Sequence, residues 1–241
     1  MALDAAPRFN LKDLTPCSPL PKPSYYPLAH RYKDKLSNLT CLGSFAEETI
    51  SIYQSLRSLT ALKDAICFSP STLPDSPSFE TKAQTIESLE RQCLSIIQSP
   101  LLHPYSLSPI NSIYFLFVNA ALIHIIVFMR ESPRRLPFAR ILSTRIRDCL
   151  ERINARVFQD NYPELLMWIY IMGGLGSVGT DDQGWFASML AEAVRWAGTA
   201  EIRDLEIMCG DWLWTKLYVD TLSEGFWSDF EGALGGRGMV R

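Results

Sequence analysis

Gly174, Gly176 and Gly179 fall in the spacing G-x-G-x-x-G. That pattern cradles a pyrophosphate when a strand precedes it and a helix opens directly behind it. Next comes Thr180-Asp181-Asp182-Gln183, a short acidic run of the kind that can offer carboxylates to magnesium. Three histidines (His30, His103, His124), six cysteines and an arginine-rich stretch from Arg130 to Arg156 complete the residues able to do chemistry. Each has a plainer structural use, and the elements around it decide between the two.

Leu165 to Met172 is apolar enough for a buried strand, but a dinucleotide fold needs a second strand soon after the helix, ending in an acid for the ribose. Ala191 to Asp204 leads instead into a charged amphipathic helix, and too little chain follows Gly179 to complete a sheet. The glycines are therefore expected to form a packing joint, a break that ends one helix and lets two helices approach closely. The acidic run is expected to cap the next helix, with Thr180 or an Asp at the N-cap and the acids on the positive end of its dipole. Positions 185 and 186, where a partner acid for a metal would be needed, are Trp185 and Phe186.

His124 lies in an apolar segment and reads as a hydrogen-bonded core residue. His103 sits between prolines, with no G-x-S-x-G serine to serve. No nucleophile, base and orienting group can be assembled, so no catalytic, cofactor-binding or metal residue is assigned and the chain is read as a non-enzyme. Cys17, Cys41, Cys67, Cys93, Cys149 and Cys209 are dispersed, with no C-x-x-C and no local zinc spacing. The first residues hold no apolar segment for a signal peptidase, so the thiols are expected to be reduced and mostly small core residues. Arg130, Arg134, Arg135, Arg140, Arg145, Arg147, Arg152 and Arg156 make the only basic region. Interleaved aromatics of a nucleic-acid platform are missing there, so a solvated helix face with local ion pairs is expected.

The 241 residues carry a net charge of −3, with 47% hydrophobic and 20% charged residues. Such a chain is globular and lacks the basic field that draws proteins to nucleic acid. Pro7, Pro16, Pro19, Pro21, Pro23 and Pro27 crowd the start, so 1–43 reads as a proline-rich tail or linker. From Ser44, an expected N-cap, apolar residues recur at helical intervals up to Pro70, again from Phe79 to Pro100, and again over 137–158. Residues 110–129 approach the length of a membrane span, but Asn111, Ser112, Asn119 and His124 interrupt them, so a helix buried on all sides is expected. Two helices follow around the glycines, then Glu201 to Val219, and a short element with Phe226, Trp227 and Phe230. The fold expected is all-α: one domain of about seven helices over 44–231, followed by a flexible tail at 232–241.

Pro163-Glu164-Leu165-Leu166-Met167-Trp168 leads into Gly173-Gly174, and Trp185-Phe186, Leu213-Trp214 and Phe226-Trp227 follow. This pattern resembles the helical regulatory domain of fungal zinc-cluster transcription factors, across roughly Phe45 to Phe230. The apolar segment Asn111–Arg130 corresponds to that family's central helix. Two departures stand out: the closely spaced six-cysteine zinc cluster is absent, and Asp182-Gln183-Gly184 replaces the arginine that often precedes the Trp-Phe pair. The resemblance implies a nuclear protein that regulates transcription, in a metabolic gene cluster or elsewhere. It would act by contact with other transcription proteins or by burying a small effector, without sequence-specific DNA binding by this chain alone and without a membrane. Whether the chain is a regulatory half or a stand-alone paralogue stays open. The alternative from another class is a helical enzyme of small-molecule biosynthesis with no recognisable motif.

Overall fold

The computed structural model describes residues 43–68, 79–99, 109–130, 137–153, 155–198, 202–210, 212–219 and 223–235. Most of the proline-rich tail, His30, His103, Cys17, Cys41 and the chain after Gly235 lie outside them. Among the described residues there are nine α-helices and no strand. These are α1 (Gly43–Phe68), α2 (Phe79–Ile97), α3 (Pro109–His124), α4 (Pro137–Arg152), α5 (Ala155–Asn161), α6 (Pro163–Gly176), α7 (Asp181–Trp196), α8 (Ile202–Gly210) and α9 (Glu224–Gly235). Three of them open on proline, whose fixed φ suits the first helical position and whose missing N–H would find no helical acceptor there.

Two helices are buried all round. Every residue from Ser112 to Met129 is buried, and so is every residue of α6 from Leu165 to Gly176. They pack on one another, α4 lies against both, α1 and α2 cover the other side of α3, α7 packs on α6, and α9 packs on α7. Asn111–Met129 is long and apolar enough to cross a membrane by length and composition, and its apolar window lies wholly inside the fold. Asn119 answers its burial in part, its Nδ2 donating to the Phe115 carbonyl at 2.7 Å while its Oδ1 is buried without a hydrogen-bond partner.

The all-α expectation stands, and the helix count changes from about seven to nine, because one expected helix divides in two and the short element with Phe226, Trp227 and Phe230 forms a twelve-residue helix, α9. The expected helix over 137–158 divides into α4 and α5, and the turn lets Phe158 enter the core and pack with Tyr162 at 5.6 Å. The expected Glu201–Val219 helix stops at Gly210. Beyond it Trp212 and Tyr218, both fully buried, pull the chain inward as a strap that ends in the 3₁₀ turn Lys216–Val219. Three smaller differences follow. α1 begins at Gly43, so Ser44 is inside the helix, and α9 runs to Gly235, past the expected end at 231. Ile141, one of the apolar residues that keep helical spacing over 137–158, is 41% exposed, because the buried face of α4 centres on Ala139, Leu142, Ser143, Ile146, Cys149 and Leu150.

α3 does not stop at His124 but widens into a π turn, Ile125–Met129, closed by the Arg130 N–H on the Ile125 carbonyl at 2.9 Å. Periodicity of apolar residues does not report such a turn, since all five residues are apolar and buried.

Candidate functional site

The glycine motif holds no phosphate cradle. No strand precedes it, because Leu165 to Met172 is the middle of α6, and Gly173, Gly174 and Gly176 are themselves helical. The break lies further on than expected, at Gly179, whose φ of 78° favours glycine. Three amides of the turn are in use. Ser177 N–H bonds to the carbonyls of Gly173 and Gly174, and Thr180 N–H to that of Ser177. Gly179 N–H is met by Gln183 Oε1 at 3.0 Å. The helical glycines form the expected close approach. A Cβ on Gly173 would overlap the ring of Phe186, one on Gly174 the ring of Phe226, and one on Gly176 would lie 2.5 Å from Ser143 Oγ.

Thr180 occupies the N-cap of α7 with extended backbone, but its hydroxyl turns back to the Ser177 carbonyl at 2.7 Å and caps nothing. Gln183, in the first turn, reaches back instead, in the manner of a capping box shifted by one residue. Asp181 and Asp182 stand at the positive end of α7, and Asp182 also ties two helices together. It accepts from Arg147 at 2.7 Å and from the Thr144 hydroxyl at 3.0 Å, both on α4. Arg147 bonds Glu151 at 2.9 Å as well and lies over the Trp185 ring, 5.3 Å from its centroid. Elsewhere in the basic region Arg130 pairs with Glu90 of α2, and Arg145 lies over Phe115. These ties are ion pairs and ring contacts within the fold.

The densest polar arrangement is inside, and it gathers residues that are far apart in sequence. Thr60 on α1, His124 on α3, Trp168 on α6 and Tyr218 on the strap are all buried. The Thr60 hydroxyl donates to the Leu56 carbonyl at 2.7 Å, so its single proton is spent. It must therefore accept from His124 Nε2, 2.9 Å away, which assigns that nitrogen the ring proton. Nδ1 is then the acceptor, and the Tyr218 hydroxyl donates to it at 2.8 Å. Tyr218 in turn accepts from the Trp168 indole N–H at 3.0 Å. Every donor in the chain Trp168, Tyr218, His124, Thr60, Leu56 points the same way. Burial pushes the His124 pKa down to about 3 and holds the Tyr218 phenol well above the usual tyrosine range, so both are neutral.

The strap is tied in on both sides of this chain. Tyr53 stacks on Trp212 at 4.1 Å and donates to its carbonyl at 2.9 Å. Thr215 donates to Asp64 at 2.5 Å, and the Tyr218 carbonyl accepts from Ser223 and Trp227, each at 2.7 Å. His124 is thus the hydrogen-bonded core residue expected of it. Its partners Tyr218 and Thr60 carried no motif, and no local spacing pointed to them. Of the described cysteines, Cys93, Cys149 and Cys209 are buried and Cys67 is exposed, all as free thiols. Burial raises the Cys149 thiol to about 11 and the Cys209 thiol to about 12. Among the described residues no group of three or more His, Cys, Asp or Glu side chains is placed to hold a metal ion.

Comparison of the chain with family models, with curated proteins and with solved structures gave no match.

Proposed function

We propose that the chain is a non-catalytic regulatory module of transcription, of the kind its aromatic pattern resembles, working in the nucleus through contact with other transcription proteins or through a buried small effector. One observation supports the reading. The residues that carry the resemblance are not scattered through the fold but meet as a single packed unit. Gly173 receives Phe186 and Gly174 receives Phe226, while Trp214 packs on Trp227 at 6.4 Å. Trp168, earlier in the same helix, is buried against Phe117 and Trp212. The side chains best suited to catalysis, His124 and Tyr218, are neutral and occupied by one another. The two most exposed large apolar side chains among the described residues, Trp196 at 66% and Ile207 at 71%, serve instead as contact residues for a partner.

The test is to tether the chain to a heterologous zinc-cluster DNA-binding module upstream of a reporter gene. Reporter transcription is expected to change, and Trp196→Ala combined with Ile207→Ser to reduce that change without lowering the melting temperature. In a mobility-shift assay the chain alone is expected to leave DNA unshifted. A silent reporter, or a tight sequence-specific shift by the chain alone, overturns the reading.

A further inference from the structure

The regulatory reading leaves the effector unnamed, and the surroundings of Tyr218 narrow its chemistry. The walls of that site come from helices: His124 and Phe128 from α3 and its π turn, and Trp168 from α6. They present one acceptor, His124 Nδ1, and one donor, the Trp168 indole N–H, to the same oxygen at 2.8 and 3.0 Å. The acceptor is fixed in that role, because Thr60 holds the proton on the opposite nitrogen. The Phe128 ring lies edge-on at 4.8 Å from the phenol ring that fills the site. That phenol belongs to the strap, which leaves α-helical structure after α8 and carries only a four-residue 3₁₀ turn.

A second observation converges on the same place. The π turn Ile125–Met129 opens directly after His124 and sets Phe128 against the phenol. Such turns interrupt regular helix bonding and recur at functional sites. In a helix otherwise suited by composition to run straight, the interruption falls where the binding wall is built.

We propose that this is an effector site for a small neutral hydroxyaromatic compound, closed in this structure by Tyr218, an inference that rests on the regulatory reading above. The ligand's hydroxyl donates to His124 Nδ1 and accepts from Trp168, and its ring replaces that of Tyr218 beside Phe128. Displacement of Tyr218 moves the strap outward together with Lys216 and Val219, both exposed at its rim. The site is selective by charge: its walls offer one donor and one acceptor to the ligand's oxygen, and the nearby Asp64 carboxylate is engaged by Thr215, so a carboxylate or ammonium group would lose its hydration without a partner in the wall to replace it. A ring without the hydroxyl would leave Nδ1 and the indole N–H buried and unpaired.

The experiment titrates the full chain with p-cresol and, in parallel, with toluene, by calorimetry, and follows trypsin cleavage after Lys216 as the measure of strap release. Saturable p-cresol binding is expected, with cleavage at Lys216 accelerated severalfold at saturation and toluene at least about tenfold weaker. Tyr218→Phe keeps the ring while loosening the closure, and is expected to bind p-cresol more tightly than the wild type. The proposal is overturned if the wild type does not bind p-cresol, if toluene binds equally well, or if binding leaves Lys216 protected. Binding by Tyr218→Phe alone also overturns it, since only a damaged core would then admit the ligand. A chain that acts on the tethered reporter yet ignores p-cresol sinks this inference alone, whereas one that binds p-cresol and leaves the reporter silent sinks the regulatory reading.

Discussion

The Tyr218 hydroxyl and His124 Nδ1 lie 2.8 Å apart, although 94 positions separate the two residues in the chain. That bond fastens the strap to the buried central helix, and the Trp168 indole supports it from α6. Tyr218→Phe removes one hydroxyl and leaves a buried acceptor and a buried donor without partners. The expected loss of stability is about 1–3 kcal/mol, read from the urea midpoint at neutral pH. An unchanged midpoint would show that the chain of bonds contributes nothing.

Acid should act through the same histidine. The unfolded chain takes up a proton on His124 below about pH 6.5. The folded chain does not until about pH 3, because burial disfavours the charged ring. Stability from this group is therefore complete above pH 6.5 and falls as pH drops from 6.5 toward 3, by up to about 1.4 kcal/mol per pH unit. His124→Gln should show a shallower fall over that interval in urea titrations. Equal slopes for the two proteins would contradict the burial of a neutral imidazole.

The glycine joint makes a ranked prediction. Gly174→Val drives side-chain atoms into the Phe226 ring and should cost about 1–3 kcal/mol or more. Gly179→Ala meets no neighbour but must adopt a φ of 78°, and should cost about 1 kcal/mol. Thermal denaturation should place the wild type first, Gly179→Ala second and Gly174→Val last. Addition of ATP or NAD should raise none of the three melting temperatures.

Trp168→Ala should be the most damaging of these changes, about 3–5 kcal/mol, because it empties a large fully buried volume and leaves the Tyr218 hydroxyl oxygen without the donor it accepts from. Arg147→Ala sits at the other extreme. The Arg147–Asp182 pair is partly exposed, so a double-mutant cycle should give a coupling of only about 0.2–1 kcal/mol.

The thiols offer a chemical check. In the native protein Cys67 should react with an alkylating reagent at pH 8, while Cys93, Cys149 and Cys209 should react only after unfolding. Peptide mass spectrometry separates the four, and early labelling of Cys209 would show that the α6–α8 packing is loose.

Much of the fold was legible because burial writes periodicity into a sequence. α2, the apolar α3 and the paired helices around the glycines follow from apolar spacing, proline stops and a glycine-rich turn. The π turn did not show, since Ile125 to Met129 would be equally apolar in a regular helix. The strap read as helix because Trp212, Leu213 and Leu217 happen to keep helical spacing, while the pull of Trp212 and Tyr218 toward distant partners is a tertiary effect. The polar chain was half legible. An apolar helix bearing one histidine predicts a buried partner, but nothing local to His124 names Thr60 or Tyr218.

The bond direction in that chain has one more consequence. An indole nitrogen can give a proton to a hydrogen bond but offers no lone pair to receive one. A proton wire works by passing a charge along and then turning its donors round for the next transfer. Here the sequence starts at Trp168, which cannot turn round, and ends on the carbonyl of Leu56, which holds no transferable proton. The line is closed at both ends, so it fixes the orientation of four side chains without carrying current.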